Sequence, residues 1–316
     1  MRQHYLHQLF APDGIAVFGA NDEETSVGGR VLRNLREGGY EGGLYPVNPH
    51  HDSVQGLTCH GRIHDLHEHV DLAIIATPAD TVARVLRDCG EHGVAMAVIM
   101  SAGFGETGEA GRRRERQALE VAAQYEIRVV GPNCLGLLRP SLGLNATFSV
   151  NSALPGRLAL VSQSGALCTA IMDWAAPRRL GFSTLVSLGD AADVHFGDVL
   201  DFLAQDHETS SILLYIEGIH RPRRFISALR SVARIKPVIV IKAGRQAAGS
   251  RAAMSHTGAL VGGDDAFNAA LSRAGAVRVQ TISQLFSAAQ ILAEYPGDVR
   301  DRKSTRLNSS HRLRSR

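Results

Sequence analysis

The chain has 316 residues, is 44% hydrophobic and carries a formal net charge of +3. That length accommodates two domains of ordinary size, and no apolar run approaches the eighteen or so residues of a membrane span. Four scattered cysteines (Cys59, Cys89, Cys134, Cys168) form no C-x-x-C pair, which argues against a disulfide framework or a zinc site.

Residues 301–316 hold six Lys or Arg against one Asp, so this tail accounts for +5 of the charge and leaves −2 on the preceding 300 residues. The tail has no aromatic and no periodicity, follows Pro296-Gly297, and reads as a non-native appendage. No nucleic-acid role is inferred from it. The start, Met-Arg-Gln-His-Tyr-Leu-His-Gln, lacks the apolar stretch of a signal peptide, so a cytoplasmic location without a membrane role is expected.

Ile15–Ala20 is a short apolar strand that runs into a polar loop and then a helix whose Val31, Leu32 and Leu35 make one stripe. Strand, glycine turn and helix in that order open a nucleotide-binding domain, with helix-start amides facing an anion. The spacing G-x-G-x-x-G is absent, and the next strand, Gly43–Asn48, ends in Asn-Pro rather than in an acid that would hold a ribose. A phosphate-bearing nucleotide other than NAD is therefore expected. Further strands follow at Asp71–Thr77, Val94–Met100 and Ile127–Asn133, separated by helices ending near His92 and spanning Arg112–Tyr125. Continuously apolar strands alternating with helices imply a parallel sheet covered on both faces. Ligands of such sheets lie beyond the carboxyl ends of the strands. Gly19, Ala20, Ser26, Val27, Gly28, Asn48, Pro49, Thr77, Pro78, Ser101, Gly103 and Asn133 are accordingly expected on one binding rim, with Gly28-Gly29 near a phosphate.

Residues 136–156, with Pro140, Gly143 and Pro155, read as a connection between domains. A second α/β run begins at Leu158–Ser162, turns at Gln163-Ser164-Gly165 and enters a helix over Ala166–Ala176. Ser164 and Gly165 there offer free helix-start amides to an anion, although Ser164 serves equally as an ordinary N-cap. The spacing then predicts a strand over Phe182–Leu188, a helix near Gly197–Ala204, and an otherwise apolar strand over Ser211–Glu217 that ends in the Glu217 carboxylate. A helix over Pro222–Ala233, a strand over Pro237–Lys242 and helices from Asp264 and over Ser283–Ala293 complete the run. Between Lys242 and Gly263 lie about twenty small, aperiodic residues, and long loops of that kind in compact domains are functional or disordered. At their centre stands His256, with no Cys, carboxylate or second His nearby to complete a metal site. A nucleophile or proton carrier is the better chemical reading, and Glu217 could steady such an imidazole. A solvated loop histidine is the bland alternative.

In order, Ile15–Ala20, Tyr45-Pro-Val-Asn-Pro49, Ser101-Ala-Gly-Phe-Gly-Glu106, Gly131-Pro-Asn-Cys-Leu-Gly136, Val161-Ser-Gln-Ser-Gly-Ala-Leu167, Tyr215-Ile-Glu-Gly218, Lys242-Ala-Gly-Arg245 and Ser255-His-Thr-Gly-Ala259 cover most of residues 5–295. Together they resemble the α subunit, or α half, of the NDP-forming acyl-CoA synthetases, relatives of succinyl-CoA synthetase. The resemblance implies a Rossmann-like CoA-binding domain over 5–135, the connection 136–156 and a flavodoxin-like ligase domain over 157–295. It further implies that His256 is phosphorylated, that Ser164 and Gly165 bind phosphate, and that Glu217 steadies the phosphohistidine. Coenzyme A is the implied cofactor, with ADP or ATP and Mg on an ATP-grasp β subunit or fused domain. A small carboxylic acid and its CoA thioester are the implied substrates, and an oligomer the implied state. The family's Ser-Leu-Gly-Asn is here Ser187-Leu-Gly-Asp190, a variant also found in proteins that fuse this module to an acetyltransferase domain. An acyl-CoA-sensing, non-catalytic half of a protein lysine acetyltransferase is therefore the alternative function.

Overall fold

A computed structural model describes residues 4–243 and 264–294. The segment centred on His256 and the basic tail lie outside the described residues. The first sheet is built from β1 (Gly14–Phe18), β2 (Gly43–Val47), β5 (Leu72–Ile75), β6 (Met96–Ile99) and β7 (Arg128–Val130). The two-residue strands β3 (Ser53–Val54) and β4 (Leu57–Thr58) form a separate hairpin. All pairings in the first sheet are parallel, in the order β2-β1-β5-β6-β7. Helices α2 (Val27–Glu37), α3 (Val82–His92) and α4 (Glu109–Gln124) supply the crossovers, after a short α1 (His7–Phe10). In α3 the buried Val82, Val85, Leu86 and Cys89 repeat at three and four residues, so one face of the helix is covered by the sheet.

The second sheet repeats the winding. Its parallel strands are β10 (Leu154–Ser162), β11 (Gly181–Ser187), β12 (Ser211–Ile216), β13 (Val238–Lys242) and β14 (Val277–Val279). Helices α5 (Gly165–Ala175), α6 (Phe196–Gln205), α7 (Pro222–Val232), α8 (Asp264–Ala274) and α9 (Ile282–Glu294) cover its faces. The order is β14-β13-β12-β10-β11-β8-β9, where β8 (Gly136–Arg139) and β9 (Leu144–Thr147) are antiparallel additions.

Residues 136–156 therefore differ from the connection expected of them, because they place two fully buried strands on the edge of the second sheet. Their partner across the sheet, β11, follows about forty residues later, and a four-residue strand carries too few repeats to announce itself.

The two domains share one continuous core. Phe10 stacks on Phe202 at 4.4 Å between centroids, and Asn34 Nδ2 donates to the carbonyls of Thr147 (2.7 Å) and Ser149 (2.8 Å). Arg128 grips Asp193 through two hydrogen bonds of 2.8 and 3.0 Å, while the Val194, Ala192 and Asp190 amides donate to the carbonyls of Val129, Gly131 and Pro132. Among the described residues no helix is long and apolar enough to cross a membrane.

Candidate functional site

In each sheet the chain lays its second strand on one side of the first and then crosses to the other side, so a crevice opens where the direction reverses. In the first sheet that point lies between β1 and β5. Gly19 ends β1 with φ +80°, a left-handed conformation that suits glycine, and a Cβ there would meet the Ala76 carbonyl at 2.7 Å. Asn48, at the end of β2, donates from Nδ2 to the Ala20 carbonyl at 2.8 Å. Ser101, at the end of β6, donates to the Thr77 carbonyl, and its own carbonyl accepts from the Asn133 amide at 3.1 Å. The strand ends expected to share a rim are thus hydrogen-bonded to one another. Pro49 and Pro78 are exposed on it, while Gly103 is tied back by Glu106 and Arg114.

Ser26 caps α2, its Oγ accepting from the Gly29 amide at 3.0 Å, and Val27 begins the helix partly exposed. Gly28 packs against the end of β1. A Cβ on Gly28 would lie 2.1 Å from the Gly19 carbonyl oxygen, so the missing side chain lets α2 press against the end of β1.

The second reversal lies between β10 and β12. Ser164 caps α5, accepting from the Leu167 amide at 3.3 Å, and Gly165 opens the helix. The first-turn amides of α5 make this end attractive to an anion. Glu217 follows the last residue of β12 across the crevice. In the register of the sheet Ile216 pairs with Lys242, so β13 ends beside Glu217.

Asp190 joins the two rims. Burial first, then the negative charges of Glu106 and Glu115 on the first domain, raise its carboxyl from an ordinary 3.8 to about 7; Glu217 of the second domain adds to the rise, and a hydrogen bond from Asn133 opposes it. Its Oδ2 is buried without a hydrogen-bond partner among the described residues. The Asp-for-Asn variant noted in the sequence therefore sits where a neutral side chain suffers least. Folded Asp190 holds its proton above the pH at which the unfolded chain releases it, so the stability it contributes is complete below 3.8 and is lost as pH rises to about 7. The full displacement corresponds to roughly 4 kcal/mol, and partial solvent access reduces this to about 2 kcal/mol. Asp190→Asn is expected to be more stable than the parent by about that amount at pH 8 and to lose the advantage at pH 4. Urea titrations at several pH values would decide it, and parallel curves for the two proteins would contradict it.

Of the expected site residues, those from Gly19 to Asn133 lie along the first rim, and Ser164, Gly165 and Glu217 along the second; His256 is outside the described residues. Gln163 escaped the sequence reading as anything but a turn residue, although its position at the strand end was the available signal. Among the described residues no group of three or more His, Cys, Asp or Glu side chains could hold a metal.

A doubly wound nucleotide-type domain fused to a second, flavodoxin-like domain with an anion-receptive helix start defines the class. A family described as "CoA binding domain" matches residues 13–140, and one described as "Succinyl-CoA ligase like flavodoxin domain" matches 155–292. The alpha subunit of acetate–CoA ligase [ADP-forming] I from Pyrococcus furiosus is 41% identical over 295 residues, covering 92% of this chain and 64% of the subunit. A 4-hydroxybutyrate–CoA ligase [ADP-forming] from Nitrosopumilus maritimus is 38% identical over 292 residues, covering 91% of this chain but 42% of that protein. Among solved structures, a dinucleotide-forming acetyl-coenzyme A synthetase 1 from Ca. Korarchaeum cryptofilum, in complex with phosphate and ADP, superposes with a TM-score of 0.87 at 40% identity, over 91% of this chain and 62% of that one. The chain joins a CoA-binding domain to a succinyl-CoA-ligase-like flavodoxin domain, is similar over most of its length to α subunits of ADP-forming acetate–CoA ligases, and spans less than two thirds of the length of each of these relatives.

Proposed function

We propose that this chain is the α part of an ADP-forming acid–CoA ligase, interconverting acyl-CoA, phosphate and ADP with the free acid, CoA and ATP. The observation that carries this reading is the meeting of the two rims at Asp190, whose amide donates to the Pro132 carbonyl at 3.1 Å, with β13 ending beside Glu217. The relatives named above are ligases and synthetases at about 40% identity, which supports the same chemistry here.

In this reading residues 5–135 bind CoA, residues 157–295 perform the phosphoryl relay, and 136–156 join them. Gly19, Ala20, Ser26, Asn48, Thr77, Ser101 and Asn133 present backbone and hydroxyl groups to the nucleotide portion of CoA, which brings the thioester toward the second rim. Phosphate held by the α5 start, at Ser164 and Gly165, attacks the thioester carbonyl; the C–S bond breaks, CoA departs with a proton, and an acyl phosphate remains. A ring nitrogen of His256 then attacks phosphorus, the bond to the acyl oxygen breaks, and the acid leaves. Glu217 accepts the other ring N–H and so fixes the tautomer. ADP, held with Mg by an ATP-grasp β subunit or fused domain, takes the phosphoryl group. The complete enzyme is an oligomer working in the cytoplasm on a small carboxylic acid.

Mixing the chain with an ATP-grasp subunit of an ADP-forming ligase should give CoA- and acid-dependent ADP release from ATP, whereas either chain alone should give none. Calorimetry should show CoA binding to this chain far more tightly than NAD. Tight NAD binding without CoA binding would contradict the reading.

A further inference from the structure

The end of β12 is held by a side chain that the reaction scheme above does not use. Gln163, the residue between β10 and the Ser164 cap, is only 5% exposed. Its Oε1 accepts from two successive amides, Glu217 N–H at 2.7 Å and Gly218 N–H at 3.0 Å. Its own amide donates to the Tyr215 carbonyl at 3.2 Å, so β10 and β12 are hooked together by backbone and side chain across the reversal. On the other flank Ser162 Oγ accepts from the Ser164 amide at 3.0 Å and donates to the Ser164 carbonyl at 2.9 Å, which fixes the turn that Gln163 occupies.

Both partners of the Gln163 side chain are N–H donors, so only its carbonyl oxygen can face them and the amide cannot be reversed. Nε2 therefore points the opposite way. It is buried without a partner among the described residues, as is Nδ1 of His195. The two residues line one small cavity with Ala191, Gly218 and His220. Burial is the main cause that brings the His195 imidazole down to about 4, with the Arg221 charge next, which leaves a neutral ring opposite the amide. A glutamate in place of Gln163 would retain the acceptor but put a carboxylate within a residue's breadth of Glu217.

We propose that Gln163 is a positioning residue of the phosphoryl-relay site: its carboxamide clips the Glu217-Gly218 backbone to the α5 start, holding Glu217 and the Ser164 cap in fixed relation across the crevice. The proposal rests on the reading of Glu217 and Ser164 given above. A neutral acceptor at this place fixes the strand end without adding charge beside Glu217. Loss of the clip leaves two amides without their acceptor, that of Gly218 buried and that of Glu217 partly so, and a catalytic group displaced by even an ångström loses much of its effect.

The test uses Gln163→Leu, Gln163→Met and Gln163→Glu in the full chain, with amide hydrogen exchange over residues 215–219 and phosphorylation by acetyl phosphate as separate readouts. Gln163→Leu should speed exchange at Glu217 and Gly218 about 10- to 100-fold while protection in β6 is unchanged. The rate of phosphorylation should fall by a similar factor, and the affinity for CoA should stay at the parent value. Gln163→Glu should keep the protection yet move the pH dependence of phosphorylation, because it adds a charge and removes no acceptor. Gln163→Met, close to isosteric, serves if the leucine variant does not fold.

Unchanged exchange at Glu217 and Gly218 in both apolar variants would overturn the clip. Faster exchange with an unaltered phosphorylation rate and pH profile would overturn the positioning role. A parent protein that is never phosphorylated would instead overturn the proposed function, and the exchange measurement would still decide the clip.

Discussion

Replacing His256 by Asn is expected to abolish acid-labile phosphorylation of the chain and to reduce turnover with its ATP-grasp partner by at least about a thousandfold. Asparagine preserves polarity and approximate size but has no nucleophilic ring nitrogen. Between Lys242 and Gly263 no second His, no Cys and no carboxylate is present to take the phosphoryl group in its place. In the proposed relay the transfer is covalent, and removing it would recombine two moderate steps into one direct exchange between acyl phosphate and ADP held by different parts of the enzyme. CoA binding should persist, since the first rim is built from other elements. The measurement is incubation with radiolabelled acetyl phosphate, followed by acid and base treatment of the labelled protein. Phosphohistidine is lost in acid and survives base. Label that persists in His256→Asn, or acid-stable label on a serine, would remove His256 from the mechanism.

Gly28→Val is expected to destabilise the first domain by about 3 kcal/mol or more, in the absence of any ligand. A Cβ at this position would lie 2.1 Å from the Gly19 carbonyl oxygen, 2.6 Å from its carbon and 3.1 Å from the Ala20 amide nitrogen. These are backbone atoms of the strand end and cannot rotate aside as a side chain can, so α2 must lift from β1. Lifting it would separate the Ser26 cap from the rim and uncover Val31, Leu32 and Leu35, which are completely buried. Gly39→Ala provides the control: nothing lies within 4 Å of its added Cβ, and only the left-handed backbone at φ +79° opposes it, at about 1 kcal/mol. Urea midpoints for the two variants and the parent would distinguish the cases. If Gly28→Val unfolded like the parent and lost only CoA affinity, the glycine would instead serve close approach of a ligand phosphate.

The alternation of apolar strands and helices was legible in the sequence because central strands such as β1, β5, β6 and β13 are buried throughout and crossover helices such as α3 carry one apolar stripe. The strand ends were legible for a related reason: Gly19, Asn48, Thr77, Ser101 and Asn133 each break an apolar run with a small or polar residue. The motifs around Ser164, Glu217 and His256 likewise identified the family, since they are local in the chain. What required the tertiary structure is whatever depends on atoms far apart in sequence. The strands β8 and β9 are too short to carry a period and are specified by pairing with β11. Gly28 looked like a ligand-facing glycine, and only the packed helix reveals the Gly19 carbonyl against it. Asp190 read as a one-atom departure from a motif, whereas its proton affinity comes from burial first and then from Glu106, Glu115 and Glu217, three carboxylates on two domains. Gln163 was one polar residue in a turn until the fold brought the Glu217 and Gly218 amides to its oxygen. Periodicity and turn chemistry act between neighbours and are therefore written along the chain; electrostatics and hydrogen-bond complementarity act across space, and exist only once the two sheets have been wound and joined.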